Sequence, residues 1–279
     1  MNEPKVWLIT GATSGFGRAL TEAAIAAGDT VVAAVRRPEA IDALVAAHPD
    51  QVDPVRLDVT DAARAQDVIA DVLARHGRID VLVNNAGRTQ VGAVEATTDA
   101  ELRDLFDVHF FGPAALTRAV LPSMRERRSG AIVNLSSMGG QMSFAGFGAY
   151  SATKFALEGL SEALADEVKG FGIKVLVVEP GSFRTNLFGK NAAYFSADHP
   201  AYADTVGATK EFVHSGDGAQ AGDPAKAAAA IITALNSEQT PLRLPLGSDA
   251  VDAIVGHLDG VRAELDQWEK LARDTAFDE

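Results

Sequence analysis

The sequence predicts an α/β fold in which helices cover both faces of a parallel sheet. Three observations carry that expectation. Short apolar runs with a β-branched bias recur along the chain, amphipathic stretches of roughly 10 to 15 residues separate them, and residues suited to binding stand just past the ends of the runs. Strands alternating with helices indicate right-handed βαβ crossovers, and in such sheets a ligand lies beyond the carboxyl ends of the strands. With 279 residues, 47% of them hydrophobic, the chain has material for one large core, and 1–279 reads as a single domain.

The first run, Val6 to Thr10, leads directly into Gly11-Ala12-Thr13-Ser14-Gly15-Phe16-Gly17, and Arg18 to Ala27 reads as a helix ending at Gly28. Strand, glycine turn and helix in that order make an anion site. The glycines let the backbone approach a diphosphate, and the helix N-terminus offers free N–H groups. The spacing TGxxxGxG has a wider first gap than the GxGxxG fingerprint. Thr30 to Val35 is a second buried strand with Arg36 and Arg37 at its end. In a dinucleotide fold this position meets the adenosine ribose, where a carboxylate takes the 2′-hydroxyl and an arginine takes a 2′-phosphate. No carboxylate stands here, which favours NADP(H) over NAD in a chain that is otherwise acidic.

Val52 to Leu57 is a third strand, ending in Asp58, whose carboxylate meets an adenine amino group or caps the helix beginning near Asp61. Ala62 to His76 carries Ala65, Val68, Ile69, Val72 and Leu73 on one stripe and is an amphipathic helix. Ile79 to Val83 is a fourth strand, followed by Asn84-Asn85-Ala86-Gly87. Ala131 to Leu135 is a fifth, followed by Ser136, Ser137, a glycine-rich turn and a helix whose first turn carries Tyr150 and Lys154. Positions i and i+4 share a helix face, so hydroxyl and ammonium address one small volume. A phenol has an ordinary pKa of about 10. A nearby cation favours the phenolate and lowers that value, which suits Tyr150 to exchange a proton with a carbonyl or alcohol. Ser137 stands where it can hydrogen-bond the same oxygen.

The motifs TGATSGFG at 10–17, Asp58, NNAG at 84–87, Ser137 followed by Tyr150 and Lys154, and PGSFRT at 180–185 together resemble the single-domain short-chain dehydrogenases/reductases, over nearly the whole chain. The resemblance implies a doubly wound Rossmann-type fold: a seven-stranded parallel sheet, three helices on each face, assembled as homodimers or homotetramers. It also implies that Ser137 polarises the substrate carbonyl, Tyr150 passes the proton, and Lys154 holds the nicotinamide ribose. Gly11, Gly15 and Gly17 would border the diphosphate, Asn85 and Ala86 the adenosine side, and Thr185 the nicotinamide amide. Thr13, Ser14, Phe16, Val59, Gly87, Pro180, Gly181 and Phe183 would lie along the same cofactor path. The cofactor supplies the hydride chemistry and the protein supplies alignment and charge. The C-terminal extension and the FRTNLFG stretch are similar to the branch containing 17β-hydroxysteroid and retinol dehydrogenases.

One position departs from the family pattern. Where an asparagine is usual, this chain has His109, and Leu102, Leu105, Phe106 and His109 follow an i, i+3, i+4, i+7 rule that points it inward. It is a satisfied core histidine or an added proton shuttle. The tyrosine helix, Ala149 to Phe171, is apolar around most of its circumference, which predicts a subunit contact on the side away from the sheet. Ile173 to Val178 is the sixth strand. From Asn186 to Gly222 the periodicity fades and aromatics appear, as in a substrate-covering lid, whose rings face substrate or anchor the lid. Asp223-Pro224 start a further helix, and Leu242 to Leu246, interrupted by Pro245, suits an edge strand. The tail, 249–275, has helical spacing and is expected to pack on the body or on a neighbouring subunit.

The net charge of −13 argues against nucleic acid and anionic membranes as partners. Only five residues precede the first apolar run, no stretch approaches the ~20 apolar residues of a membrane span, and there is no cysteine, so the expectation is a cytoplasmic protein without disulfides. No metal ligand set is read from the chain. The expected substrate is a small-molecule ketone, aldehyde or secondary alcohol. An acyl group on an acidic carrier ranks lower, because Arg184, Lys190 and Lys210 are scattered around the lid rather than forming a docking patch. A NADPH-binding regulator on the same fold, without turnover, is the alternative of another class. The presence of Ser137, Tyr150 and Lys154 together speaks against it.

Overall fold

The computed structural model describes residues 3–277, so the outermost two residues at each end of the expected domain lie outside the described part. Seven strands form one parallel sheet: β1 (Val6–Thr10), β2 (Thr30–Val35), β3 (Val52–Arg56), β4 (Val81–Asn84), β6 (Gly130–Leu135), β7 (Ile173–Pro180) and β9 (Arg243–Leu246). Their order is β3-β2-β1-β4-β6-β7-β9, every pair parallel. The order reverses direction between β1 and β4, and such a switch point opens a crevice at the carboxyl ends of the strands. Two short strands, β5 (Thr89–Val91) and β8 (Ala193–Phe195), pair separately above that end. The described helices are α1 (Gly15–Ala26), α2 (Asp42–Ala47), α3 (Ala62–His76), α4 (Asp99–Phe106), α5 (Gly112–Arg127), α6 (Gly148–Val168), α7 (Ala203–Ser215), α8 (Pro224–Asn236) and α9 (Ser248–Arg273).

Alternation along each strand divides the core in two. Trp7 and Ile9 of β1, with Val31 and Ala33 of β2, pack under α1, α2 and α8 through Leu20, Leu44 and Ile231. Val6 and Leu8, with Val32 and Ala34, pack under α3, α5 and α6 through Val68, Leu116 and Leu164. Each face therefore carries three helices, as the resemblance implies. Both edge strands contain a proline, Pro54 in β3 and Pro245 in β9, which withholds an N–H from any further strand.

Several boundaries and two segments differ from the sequence reading. α1 begins at Gly15 rather than Arg18, inside the glycine motif, because Ser14 is extended and serves as N-cap. β4 is shifted to Val81–Asn84, and β3 stops one residue short of Leu57. The lid segment is not aperiodic throughout: it contains α7 and β8. α7 has only Val206 and Val213 buried, so no strong apolar stripe marks it in the sequence. The tail is helical, but only Ala250 and Ile254 are buried, both in its first two turns. Val255, Leu258, Leu265, Trp268 and Leu271 are all more than half exposed, so within one chain the expected packing stops early. No described helix is long and apolar enough to cross a membrane.

An ionic cluster with two buried carboxyls, Glu158 and Glu179, fastens the β9 edge. Arg243 reaches Glu158 of α6 at 3.1 Å, Glu162 at 2.7 Å and Glu179 of β7 at 3.6 Å, while Gln141 donates to Glu179 at 2.7 Å. Burial pushes both Glu158 and Glu179 up, the latter from 4.5 to about 7, with Arg243 opposing. A carboxyl with a raised folded-state value keeps its proton while the unfolded chain loses it, so stability falls as pH rises from about 4.5 to about 7. Glu179→Gln therefore narrows the difference between the melting temperatures at pH 5 and pH 8. Equal differences in variant and wild type, measured by calorimetry, would refute this.

Candidate functional site

The site is built at the switch point. β1 ends at Thr10, whose buried hydroxyl donates to the Val83 carbonyl at 3.2 Å and accepts from the N–H groups of Asn85 and Ala86 at 2.9 and 3.0 Å. The Asn85 side-chain amide donates to the carbonyls of Thr10 at 2.8 Å and Gly11 at 3.2 Å. The glycine loop and the NNAG turn are thus one tied unit. Gly11 has φ of +68°, a region that favours glycine. A Cβ at Gly17 would collide with the Gly11 carbonyl and the Asn85 amide. Gly17 is consequently the one expected cofactor residue that does not line the cleft; it lets α1 close against the loop.

The cleft has a volume of about 860 Å³, within the range of small-molecule sites. Gly11, Thr13, Ser14, Gly15, Phe16, Arg36, Arg37, Asp58, Val59, Asn85, Ala86, Gly87, Pro180, Gly181, Phe183 and Thr185 line it, along with His109, Ser137, Tyr150 and Lys154. The residues fit a dinucleotide. The N-terminus of α1 has no side-chain cap, since Ser14 makes none, so its first N–H groups remain for an anion. Phe16 and Phe183 pack ring to ring at 5.1 Å, and Thr185 lies beside Gly15. Asp58 is held by Thr60, accepting from its N–H at 3.1 Å and its hydroxyl at 2.8 Å, whereas Asp61 caps α3. Of its two expected roles, capping is therefore filled by Asp61.

Ser137 at the end of β6 and Tyr150 and Lys154 in the first turns of α6 meet in this cleft, because the turn Met138–Gly140 folds α6 back over the strand end. Ser137 Oγ accepts from the Gly139 N–H at 3.0 Å. Lys154 is buried; its Nζ donates to the Leu135 carbonyl at 2.8 Å and lies 5.7 Å from the centre of the Tyr150 ring. The expected lowering of the phenol's pKa by the lysine is overturned. Burial pushes Tyr150 up to about 12, with only a hydrogen bond from Ser137 acting the other way. Burial likewise brings Lys154 down to about 8, against the pull of Glu158. Desolvation sets the direction for both groups, and the ammonium is committed to the Leu135 carbonyl. The chain's own groups therefore hold Tyr150 as a protonated phenol at neutral pH.

His109 sits in the π-helical turn Asp107–Phe111 between α4 and α5 and points inward, as expected. Its Nε2 accepts from the Arg88 N–H at 3.1 Å, which leaves Nδ1 to donate to Thr153 Oγ1 at 2.8 Å; that hydroxyl donates to the Tyr150 carbonyl at 2.7 Å. Burial first, then the charges of Lys154 and Arg88, hold the imidazole neutral. Both ring nitrogens are committed to structure, which favours the satisfied core histidine over the shuttle. Two features of the cleft escaped the sequence. Arg88, directly after NNAG, lines it with its guanidinium 4.6 Å from the centre of the Tyr194 ring. Arg56 and Arg64 join Arg36 around an adjoining hollow of about 310 Å³. No local pattern announces either, because the partners come from distant segments. His109→Asn is expected to leave kcat within about tenfold of wild type, since the imidazole's two hydrogen bonds, to the Arg88 N–H and the Thr153 hydroxyl, are structural; a loss of several orders of magnitude in steady-state assays would assign the imidazole a chemical role.

Comparison with known proteins agrees with the geometry. A sequence profile described as short chain dehydrogenase matches residues 5–194. An oxidoreductase of Botryotinia fuckeliana is 36% identical over 96% of this chain and 98% of its own length. A 3-ketodihydrosphingosine reductase of Bacteroides thetaiotaomicron is 35% identical, covering 88% of each chain. The crystal structure of a short-chain dehydrogenase from Streptomyces avermitilis superposes with a TM-score of 0.94 at 69% identity, over 99% of this chain and 100% of that one. Two other structures show both cofactor types. One from Burkholderia phymatum, 23% identical with a TM-score of 0.82 over 94% and 95% of the two chains, is a complex with NAD. A serine dehydrogenase, 28% identical with a TM-score of 0.74 over 86% and 94%, is a complex with NADP+. With its profile match, its fold and a cleft shaped for a nicotinamide dinucleotide, this chain belongs to the short-chain dehydrogenase/reductase family of oxidoreductases.

Proposed function

We propose that the chain is a cytoplasmic, NADPH-dependent reductase of a small-molecule ketone or aldehyde, able to run in reverse on the secondary alcohol, with Ser137, Tyr150 and Lys154 as its catalytic residues. The observation that carries the reading is their convergence on the same cleft as the uncapped α1 terminus and the glycine loop. The glycine loop and the α1 terminus would hold a reduced nicotinamide cofactor, which would supply a hydride to the carbonyl carbon and be oxidised in doing so. Tyr150, protonated at neutral pH, would give its proton to the carbonyl oxygen, so that hydride and proton together turn the carbonyl into an alcohol. Ser137 hydrogen-bonds that oxygen and fixes its distance from the phenol. Lys154, anchored on the Leu135 carbonyl, holds a positive charge against the developing phenolate and toward the ribose hydroxyls.

Preference for the phosphorylated cofactor is supported by Arg36 and Arg37 at the end of β2 and by Arg56 and Arg64, which share the adjoining hollow with Arg36. The presence there of Asp58 and Asp61 as well makes Arg36, which borders both cavities, the group to test. The Bacteroides relative, named for reduction of a ketone, supports a carbonyl substrate class. NADPH oxidation followed against a panel of ketones and aldehydes is expected to show turnover that Tyr150→Phe lowers by about 10² to 10⁴-fold. Arg36→Ala should raise KM for NADPH more than for NADH. Tight NADPH binding with no turnover across the panel would replace the reductase by a nucleotide-binding regulator, and an intrinsic preference for NADH would remove the role given to Arg36.

The reading includes a homodimer or homotetramer. Its support is apolar surface that one chain leaves uncovered: Phe155, nearly half exposed on the outward face of α6, and the apolar stripe of α9. Light scattering should give at least twice the mass of one chain, and Phe155→Glu or Leu265→Glu, made separately, should reduce it. A monomeric wild type would sink this part.

A further inference from the structure

Arg88 is a cation of the cleft with no acidic partner among the described residues, and neither the cofactor reading nor the proton transfer uses it. Arg88 is half-buried, and its backbone is fixed on both sides: its N–H donates to His109, and the next residue begins β5, which is paired to β8 of the lid. Its guanidinium is held against Tyr194, the middle residue of β8. Nε is buried without a hydrogen-bond partner, and among the described residues no carboxylate forms an ion pair with the group, although Asp104 and Asp107 line the same cleft. The other cations near the lid are differently placed. Lys210 is paired with Asp198, and Arg184 donates to the Gln220 carbonyl at 3.2 Å. Lys190 is exposed at the cleft margin.

A desolvated guanidinium N–H left unpaired is costly, more so than a neutral donor, and a chain with 38 acidic side chains has many ways to pair it. The guanidinium lies against the Tyr194 ring and Arg88 lines the cleft, and a planar fork of N–H donors in such a place suits a carboxylate. Because β5 and β8 hold Arg88 and Tyr194 together, the group is preorganised rather than free to fold into solvent.

We propose that Arg88 is a specificity-determining residue and that the substrate is an oxo acid, or the corresponding hydroxy acid, whose carboxylate sits on Arg88 while its carbonyl lies between Ser137 and Tyr150. This rests on the reductase reading and narrows its substrate class. The redox balance is that of the carbonyl reduction above, the carboxylate remaining unchanged.

The test compares matched substrates, an oxo acid and its methyl ester, with a phosphonate-bearing ketone as a third arm to distinguish carboxylate from other anions. Wild type should prefer the acid over the ester by about tenfold or more in kcat/KM. Arg88→Gln should lower that preference by about 10- to 100-fold, chiefly through KM for the acid, and Arg88→Lys should recover part of it. An equal preference in wild type and Arg88→Gln overturns the proposal, as does a loss of NADPH affinity in Arg88→Gln, by fluorescence titration, that parallels the loss of turnover, which would put Arg88 on the cofactor. Better use of the phosphonate than of the carboxylate would overturn the assignment to oxo acids. Should wild type reduce no carbonyl at all, the reductase reading fails by itself. Calorimetric binding of the same hydroxy acids to the NADP+-loaded protein then decides the anion site: binding lost in Arg88→Gln supports it, and no binding, or binding indifferent to the substitution, overturns it.

Discussion

The close approach of the glycine loop to the end of β4 is the constraint on which the rest of the site depends. Five hydrogen bonds cross the switch point, two between Thr10 and Asn85, two linking Thr10 to Val83 and Ala86 and one from Asn85 to Gly11, and Gly17 allows α1 to sit directly against the Gly11 carbonyl. The uncapped end of α1 is thereby held at the mouth of the crevice. A side chain at Gly17 would lever the helix away, and the anion site and the chemistry beside it would separate. Sheet order and loop contact act together: the first opens the crevice and the second sets the cofactor end of it.

Within the crevice, burial governs the charges more than pairwise attraction does. It holds Tyr150 protonated, brings Lys154 toward neutrality and keeps His109 uncharged. The same dehydration strengthens each remaining hydrogen bond, so an oxygen placed between Ser137 and Tyr150 would meet donors that water does not screen. The network from the Arg88 N–H through His109 and Thr153 to the Tyr150 carbonyl fixes the first turn of α6 against the NNAG turn. The imidazole therefore links two walls of the site, a role that an inward-facing position on a helix leaves open.

The lid and the tail are the parts of the chain least covered by the main core. β8 is tied to β5 by three register pairs and α7 by two buried valines, so the lid is a small layer resting over the strand ends, not part of the main core. α9 begins in contact with the body at Ala250 and Ile254 and then carries its apolar stripe into solvent. That exposed stripe is the surface on which the proposed assembly rests.

The sequence by itself determined the strand and helix alternation, the split of each strand between two helical layers, the glycine loop, the Ser137, Tyr150 and Lys154 group and the inward direction of His109. These are legible because each depends on local spacing or on a motif whose parts are near in sequence. Boundaries such as Ser14 and Asn84 shifted, since caps and ladder ends are set by hydrogen bonds that periodicity does not register. Only the tertiary structure decided the direction of the Tyr150 and Lys154 shifts, the hydrogen-bond partners of His109, the structural part played by Gly17 and the pairing of Arg88 with Tyr194. Each of those is a matter of which distant segment excludes water or supplies a partner, and a one-dimensional pattern does not contain that distance.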